Sequence, residues 1–589
     1  MATIPPILEI GLLDLAGSVD QSLRCRRVKG LGHVLVAAFL LVGLLVPTYV
    51  RAANYYINAS GAMGNGSGSS AANAADASSA LKYSNIINAQ NSSGTVINYA
   101  AGTYYVYPAY SMYSGVTHQG AGIDKTIIKI PNGGASGSFT PLFLASGSTI
   151  SNFQFFDATI DFNSSNTAWW TSNTEGCSIA FAFSLADHCT IQRVKFINIG
   201  TKGEESFPIF FNVGGSASGN MNHNLVDSCI FTQPIASGNT NGGVTCVQMG
   251  DALPGITTDN TNVVSNNQFI NLNYPTYSDL GYAQCCSCPV AENNTASGVD
   301  SLWFVEPGSS GSGAISTFTE SNLTVQVTGN TVINSGPVAF VLMHPNGTFG
   351  NLNVQNNTVG MTEYPYKYQG FSVPTGVAID QDWAGNPAVG NITIQSNTFT
   401  APNPEVNSPV AVQANPISPD LFHMASLTVE NNILVNFPQD GKQYTVTSNT
   451  AYNPNYTNTG NTFDAALSFA SAGSAGLTVN SFTAANQTLN ATLNFAPSPG
   501  TVLTVINNTS ANPISGTFLN LPINGIINLT YNGMPYAFTA NYSGGDGDDL
   551  TLTYAQSTDT PTMPAWALFA LGLLLVAAGI RGFPKAIAF

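Results

Sequence analysis

The chain has 589 residues, 44% of them hydrophobic and only 8% charged, with 57 Gly, 32 Pro and a formal net charge of −16 at pH 7. That length supports a large core, the Gly and Pro content suits many tight turns better than long helices, and the acidity reads first as solubility. With 15 Lys plus Arg there is no basic stripe to neutralise phosphates, which excludes nucleic acid as a partner.

At the start, Arg24, Arg26, Arg27 and Lys29 precede an apolar run from Val34 to Val46, and Val50-Arg51-Ala52 supplies the small residues of a cleavage site. This order predicts a secretory signal, with residues 1–52 as leader and cleavage after Ala52. A strand over Asn54-Tyr55-Tyr56-Ile57 follows, ending in a Gly/Ser turn. Next comes a helix from about Ala74 to Gln90, with Ala80, Leu81, Ile86 and Ile87 as its apolar positions. Gly94 to Tyr99 and Ala101 to Val106 then read as two short strands.

From there a phrase repeats: an apolar or Thr-flanked strand, an Asn, and a β-branched or aromatic residue. It is plain at Val327 to Val332, Val354 to Val359, Ile394 to Phe399 and Val429 to Leu434. Aligned on one position the series is Phe153, Val194, Cys229, Asn267, Asn330, Asn357, Asn397 and Asn432, at spacings between 27 and 63 residues. A constant phrase at an irregular period predicts a solenoid with constrained strands and free loops. Asn suits the anchor because it tolerates a left-handed backbone and its amide both donates and accepts, so stacked copies can form a ladder. The widest interval, Asn267 to Asn330, is expected to hold an extra excursion with the Cys285-Cys286-Ser287-Cys288 cluster. A second strand series runs Ile179-Ala180-Phe181, Ile209-Phe210-Phe211, Val244-Thr245-Cys246, Val338-Ala339-Phe340, Val377-Ala378-Ile379 and Val410-Ala411-Val412, with first and third residues inward.

The Tyr-Tyr-Ile strand, helix, Gly-Thr-Val strand and Gly-Thr-Tyr strand, followed by Val116 to Gly122 and Thr126-Ile127-Ile128, resemble the entry segment of pectate-lyase-like right-handed parallel β-helix proteins. The resemblance covers about residues 54–455. It implies an all-β solenoid with an N-terminal capping helix over residues 53–460, and it is diagnostic of fold and weak for activity. In that family, eliminating members use Arg or Lys beside Asp-bound Ca²⁺ and hydrolytic members use Asp clusters. No cofactor is expected, Ca²⁺ being the ion the resemblance allows. Arg193 and Lys195, beside Asp187, form the close basic pair a lyase would need.

If Val377 and Ile379 point inward, Asp380 and Asp382 project outward about 6.6 Å apart, a spacing that suits an acid and base flanking a glycosidic bond. Aligning neighbouring rungs adds Val341, Met343 and His344 on one side and Gln413 and Asn415 on the other, with Trp383 as a face for sugar packing. The candidate site is therefore catalytic Asp380, Asp382 and His344, with Trp383, Gln413 and Asn415 binding substrate and no metal. The bland alternative is that these Asp and Asn side chains satisfy turn backbone groups. Two further groupings stand behind it: Asp157, Asp161, Trp169, Trp170 and Glu175, and Asp300, Trp303 and Glu306. His118 and His223 read as loop hydrogen-bonders, and His188 has no assigned role.

Eight Cys are present, seven of them after the leader, and export makes disulfides permissible. No His or further Cys pair lies at ligand spacing from Cys285 to Cys288, which favours a stapled loop or packing over a metal. Residues 461–555 alternate as the strands of a small antiparallel β-module. Its Gly544 to Leu552 segment resembles one calcium-binding nonapeptide repeat but, as a single copy, reads as a Gly-Asp turn. After the 556–563 linker, Ala567 to Ile580 followed by Arg581 and Lys585 predicts a hydrophobic helix within 564–589. This segment resembles the C-terminal sorting tails of PEP-CTERM-type proteins, although it lacks a Pro-Glu-Pro triplet; a plain membrane anchor is the alternative. The resemblance implies a sorting protease as partner. The whole reads as an exported surface protein that binds, and as a hydrolase or lyase would cleave, a polysaccharide; the rival is a non-catalytic adhesin or matrix component.

Overall fold

A computed structural model describes residues 53–107, 109–131, 141–163, 178–199, 206–211, 219–232, 244–249, 256–258, 261–272, 282–285, 290–299, 301–305, 319–343, 348–361, 374–381, 388–402, 409–415, 423–437, 444–446, 456–473, 475–479, 482–555 and 565–581. Within it, strands from successive turns of the chain pair in parallel register. Val290, Gln326, Asn353, Thr393, Thr428 and Thr457 lie on one line of the first face. Thr295, Thr331, Thr358, Thr398, Ile433 and Thr462 lie on another, across the second face. A third face is a separate 11-stranded sheet running from Tyr110–Ser111 to Tyr444–Val446. From Leu225 to Val446 each rung contributes one strand to each face, while Gln154–Asp161 and Thr190–Ile197 run unbroken across the first two, and the chain is a right-handed parallel β-helix.

Alternation explains the register. Val325, Val327, Leu352, Val354, Ile392, Ile394, Leu427 and Val429 are buried, while the residues between them are partly or fully exposed. A slip by one residue would turn an entire strand's apolar set into water.

The corner between first and second faces carries the ladder. Cys229 N–H donates to Asn267 Oδ1 at 2.8 Å. The chain of amides then runs Asn267, Asn294, Asn330, Asn357, Asn397, Asn432, Asn461. In the middle of it, Asn357 Nδ2 donates to Asn397 Oδ1 at 2.9 Å and to the Val327 carbonyl at 2.8 Å. Its Oδ1 accepts from both the backbone and the side-chain nitrogen of Asn330, each at 2.9 Å. Every donor and acceptor of this buried amide is used, which is the condition for a polar core ladder to stabilise.

Three expectations change here. The left-handed residue is the one before each ladder Asn (Asn266, Asn293, Gly329, Asn356, Ser396, Asn431, Gly460), because the ladder side chain must point inward while its neighbour turns the corner. Between Asn267 and Asn330 there is a complete rung with Asn294 on the ladder, hidden because its strand Thr295–Ser297 carries only Ala296 as its buried residue. Phe153 does not share a column with Val194: Val194 pairs with Ala158, and Thr190, which follows Cys189, donates to the Phe153 carbonyl at the corner between third and first faces.

The N-terminal end is closed by the helix Ala80–Ala89, shorter than expected because Ser79 caps it by accepting from Lys82 N–H. Tyr83 and Ile87 face the core while Leu81 is exposed. Tyr83 packs on Tyr99, Tyr104 and Tyr110, and its hydroxyl bonds that of Tyr99 at 3.0 Å. At the other end, Thr462–Phe469 continues the parallel sheet, and a second core around Phe469, Leu503, Ile506, Phe538 and Leu552 lies under a five-stranded sheet that is antiparallel except for Ala475–Val479 beside Val502–Asn508. Gly545 and Gly547 have φ of 55° and 117° in the turn joining Met534–Gly544 to Asp549–Tyr554. The helix Ala565–Arg581 has 17 residues and exposes Trp566, Phe569 and Leu573 to Val576. It spans about 25 Å at 1.5 Å per residue, short of the ~30 Å hydrocarbon core, and no described helix is long and apolar enough to cross a membrane.

Candidate functional site

Third-face register decides which nominated residues meet. Phe340 pairs with Ala378 and Ala378 with Gln413; Leu342 pairs with Asp380 and Asp380 with Asn415. Asp380 and Asn415 are thus direct partners on adjacent strands, about 4.8 Å apart in backbone spacing. Val341 is inward, wholly buried and paired with Ile379, so the alignment that set it beside Asp380 was slipped by one residue and changed face. Gln413 kept its face because its slip was two residues, and it stacks on Ala378. His344, Asp382 and Trp383 lie outside the described residues, so the carboxylate spacing of an Asp380 and Asp382 pair is not part of the geometry.

This face is also unlike an open strand surface. Ala182, Phe304, Phe340, Ala378 and Gln413, all at outward register, are 1%, 1%, 3%, 1% and 6% exposed. Gln413 accepts from Thr375 Oγ1 at 3.3 Å. A glycan could not lie on these positions as they stand.

The other groupings resolve into structural pairs. Arg193, at φ 54°, clamps Asp157 with Nε and Nη2 at 2.7 and 2.9 Å, and this holds the Asp157 carboxyl below the usual range. Lys195 bonds Asp124 at 2.9 Å and Lys129 bonds Asp161 at 2.7 Å. Both members of the nominated basic pair are therefore engaged by carboxylates, and neither is placed as a free base. Burial alone would raise the Asp227 carboxyl, but Gln192, Asn266, Ser265 and Ser228 donate to it and bring it below its ordinary value. Trp303 is wholly buried in the core, whereas Asp300, Glu306, Trp169, Trp170 and Glu175 lie outside the described residues.

His118 is a core residue of the strand Thr117–Gln119, not a loop residue. Burial depresses its imidazole to about 3, and its Nδ1 shares a hydrogen bond with Tyr99 Oη at 2.7 Å. Cys189, Cys229 and Cys246 are free and buried; burial pushes the thiols of Cys189 and Cys229 up to about 12, which makes them packing groups. Cys177 and Cys286 to Cys288 lie outside the described residues. Two clusters place potential ligand atoms within 4.8 Å of one another: Asp546, Asp548 and Asp549, and Asp187, His188 and His223.

What is open to solvent is the first and second faces. Gln326, Asn353, Thr393, Thr428 and Thr457 form one row, and Gln268, Thr295, Thr331, Thr358, Thr398 and Thr462, with Ile433 between the last two, another, all partly or fully exposed. Sequence alternation could have found these rows; attention to acidic pairs passed them by.

No family model matches the sequence, and no curated protein matches it. Among solved structures, a tailspike protein variant of E. coli bacteriophage HK620 in complex with a pentasaccharide aligns at TM-score 0.45 and 14% identity, over 81% of this chain and 87% of that one. PfbA, a surface adhesin of Streptococcus pneumoniae, aligns at 0.36 and 14%, over 82% and 99%. The mannuronan C-5 epimerase A-module of Azotobacter vinelandii aligns at 0.29 and 14%, over 81% and 98%. At these scores the assignment of the chain as a parallel β-helix rests on its own strand register and asparagine ladder.

Proposed function

We propose that the chain is an exported surface protein whose β-helix binds an extended polysaccharide along its first and second faces. The observation that carries this reading is the pair of solvent-facing hydroxyl and amide rows, interrupted only by Val290 in the first and Ile433 in the second and almost free of charge. Such rows offer donors and acceptors at about 4.8 Å intervals to a long neutral chain without the desolvation cost of ionised groups. In this reading the leader directs export, and the apolar helix Ala565–Arg581 with its flanks serves as anchor or sorting tail. Cleavage is not needed for it; Asp380 and Asp382 are the acid and base that cleavage would use.

The test is retention and turnover on a panel of neutral and acidic glycans. Thr331→Ala with Thr358→Ala lowers retention several-fold, while Asp380→Asn and Asp382→Asn leave it unchanged. Loss of retention or turnover in the Asp variants would move the site to the third face, and no retention of any glycan by the unmodified chain overturns the reading.

A further inference from the structure

At the corner between third and first faces, two histidines thirty-five residues apart in sequence lie on successive rungs. His188 and His223 occupy the same left-handed turn position, at φ 55° and 58°, and their rings stack with centroids 4.2 Å apart at 15°. Asp187 sits beside both: its Oδ1 is 3.1 Å from His188 Nδ1 and 4.0 Å from His223 Nδ1. Asn222 is the register partner of Asp187 in the next rung, and its Oδ1 is enclosed with no hydrogen-bond donor among the described residues.

We propose that Asp187, His188 and His223 bind a divalent transition-metal ion of the zinc class, clasping two successive rungs. Two imidazoles and one carboxylate are the donor set such ions favour, whereas Ca²⁺ and Mg²⁺ select oxygen cages. Tetrahedral zinc with bonds near 2.0–2.1 Å separates its donors by about 3.3 Å, between the two distances Asp187 Oδ1 makes to the ring nitrogens. Both rings are about half exposed, at 53% and 48%, so the ion has an open approach and the rings have room to close on it. The Asn222 carbonyl oxygen or water completes the set. The fold itself does not require histidine here: the same turn position one rung earlier is Asn152, also left-handed at φ 57°.

That precedent supplies the control, since Asn in place of either histidine keeps the backbone conformation. Titration calorimetry of the full chain with ZnCl₂ is expected to show one saturable site, with no corresponding heat from CaCl₂. In His188→Asn with His223→Asn, affinity falls by more than the 10–100-fold that loss of a mere outer-shell partner costs. Asp187→Asn weakens the site as well. Zinc binding unchanged in the double variant would overturn the proposal and transfer the ion to Asp546, Asp548 and Asp549 or to residues elsewhere; so would absence of binding by the unmodified chain. A measurement without any substitution is the electron paramagnetic resonance spectrum of the chain loaded with one equivalent of CuCl₂. Superhyperfine coupling to two imidazole nitrogens is expected, and an all-oxygen signal overturns the proposal.

Discussion

In the rungs up to Cys229, the corner between first and second faces is filled by Ala158, Val194 and Cys229, whereas from Asn267 to Asn461 the same position holds an asparagine in every rung. The cores differ in step. Early rungs stack aromatic rings, with Phe196 on Phe231 at 4.7 Å and 3°, and Phe183 on Phe211 at 4.8 Å and 8°. Later rungs pack mainly Val, Ile and Leu, with Phe269 and Phe399 among the buried residues of the second face. The surfaces differ too: carboxylates paired with Arg193, Lys195 and Lys129 in the early rungs, mostly hydroxyls and amides, with Glu292 and Glu430 among them, in the later ones. One backbone architecture is thus held by ring stacking and ion pairs at one end, and by a hydrogen-bonded amide ladder at the other.

The two ends should part most widely in acid. His118 is neutral in the folded state down to about pH 3, while the unfolded chain takes up its proton near pH 6.5. Its contribution is therefore complete above pH 6.5 and is lost as pH falls toward 3, at about 1.4 kcal/mol per pH unit and on the order of 5 kcal/mol in all. Hydrogen exchange resolved by segment should show the first rungs loosening over that window while the ladder rungs hold. His118→Phe should flatten the difference; equal loosening at both ends of the unmodified chain would remove it.

A smaller contrast comes from the corner position itself. Asn357→Ala strips the acceptor from two nitrogens of Asn330 and the donor from the Val327 carbonyl, at a cost of about 3 kcal/mol. Cys229→Ala, at the same corner earlier in the stack, removes only a weak thiol donor and a little volume, and costs about 1 kcal/mol. Urea midpoints of the two variants compare them directly, and equal shifts would mean the ladder adds no stability beyond packing.

The smallest effect is expected at the surface. Arg193 is 44% exposed, so Arg193→Ala costs at most about 1 kcal/mol and the loss fades in high salt. Because Arg193 depresses the Asp157 carboxyl, what the pair contributes is present above about pH 4 and disappears as pH falls through the lowered value. A salt-independent loss in thermal melts would point to the packing of the guanidinium over Phe156 instead.

Periodicity made the solenoid, its capping helix, the buried strand residues and most of the asparagine anchors legible, because a period-two alternation and a constant corner phrase are local properties of the chain. The two polar faces lie in the same alternation, at Thr331, Thr358 and Thr398, but the acidic residues pointed to the third face instead. Register across rungs was not legible, since loops of unequal length separate the strands: rung spacings along the ladder range from 27 to 40 residues. A slip of one residue was enough to set Val341, a core side chain, beside Asp380. The same uncertainty concealed the complete rung at Asn294 and kept His188 and His223 apart. Composition and alternation therefore determined what kind of molecule this is, while which side chains meet was decided only by stacking, where a single-residue offset exchanges core for solvent.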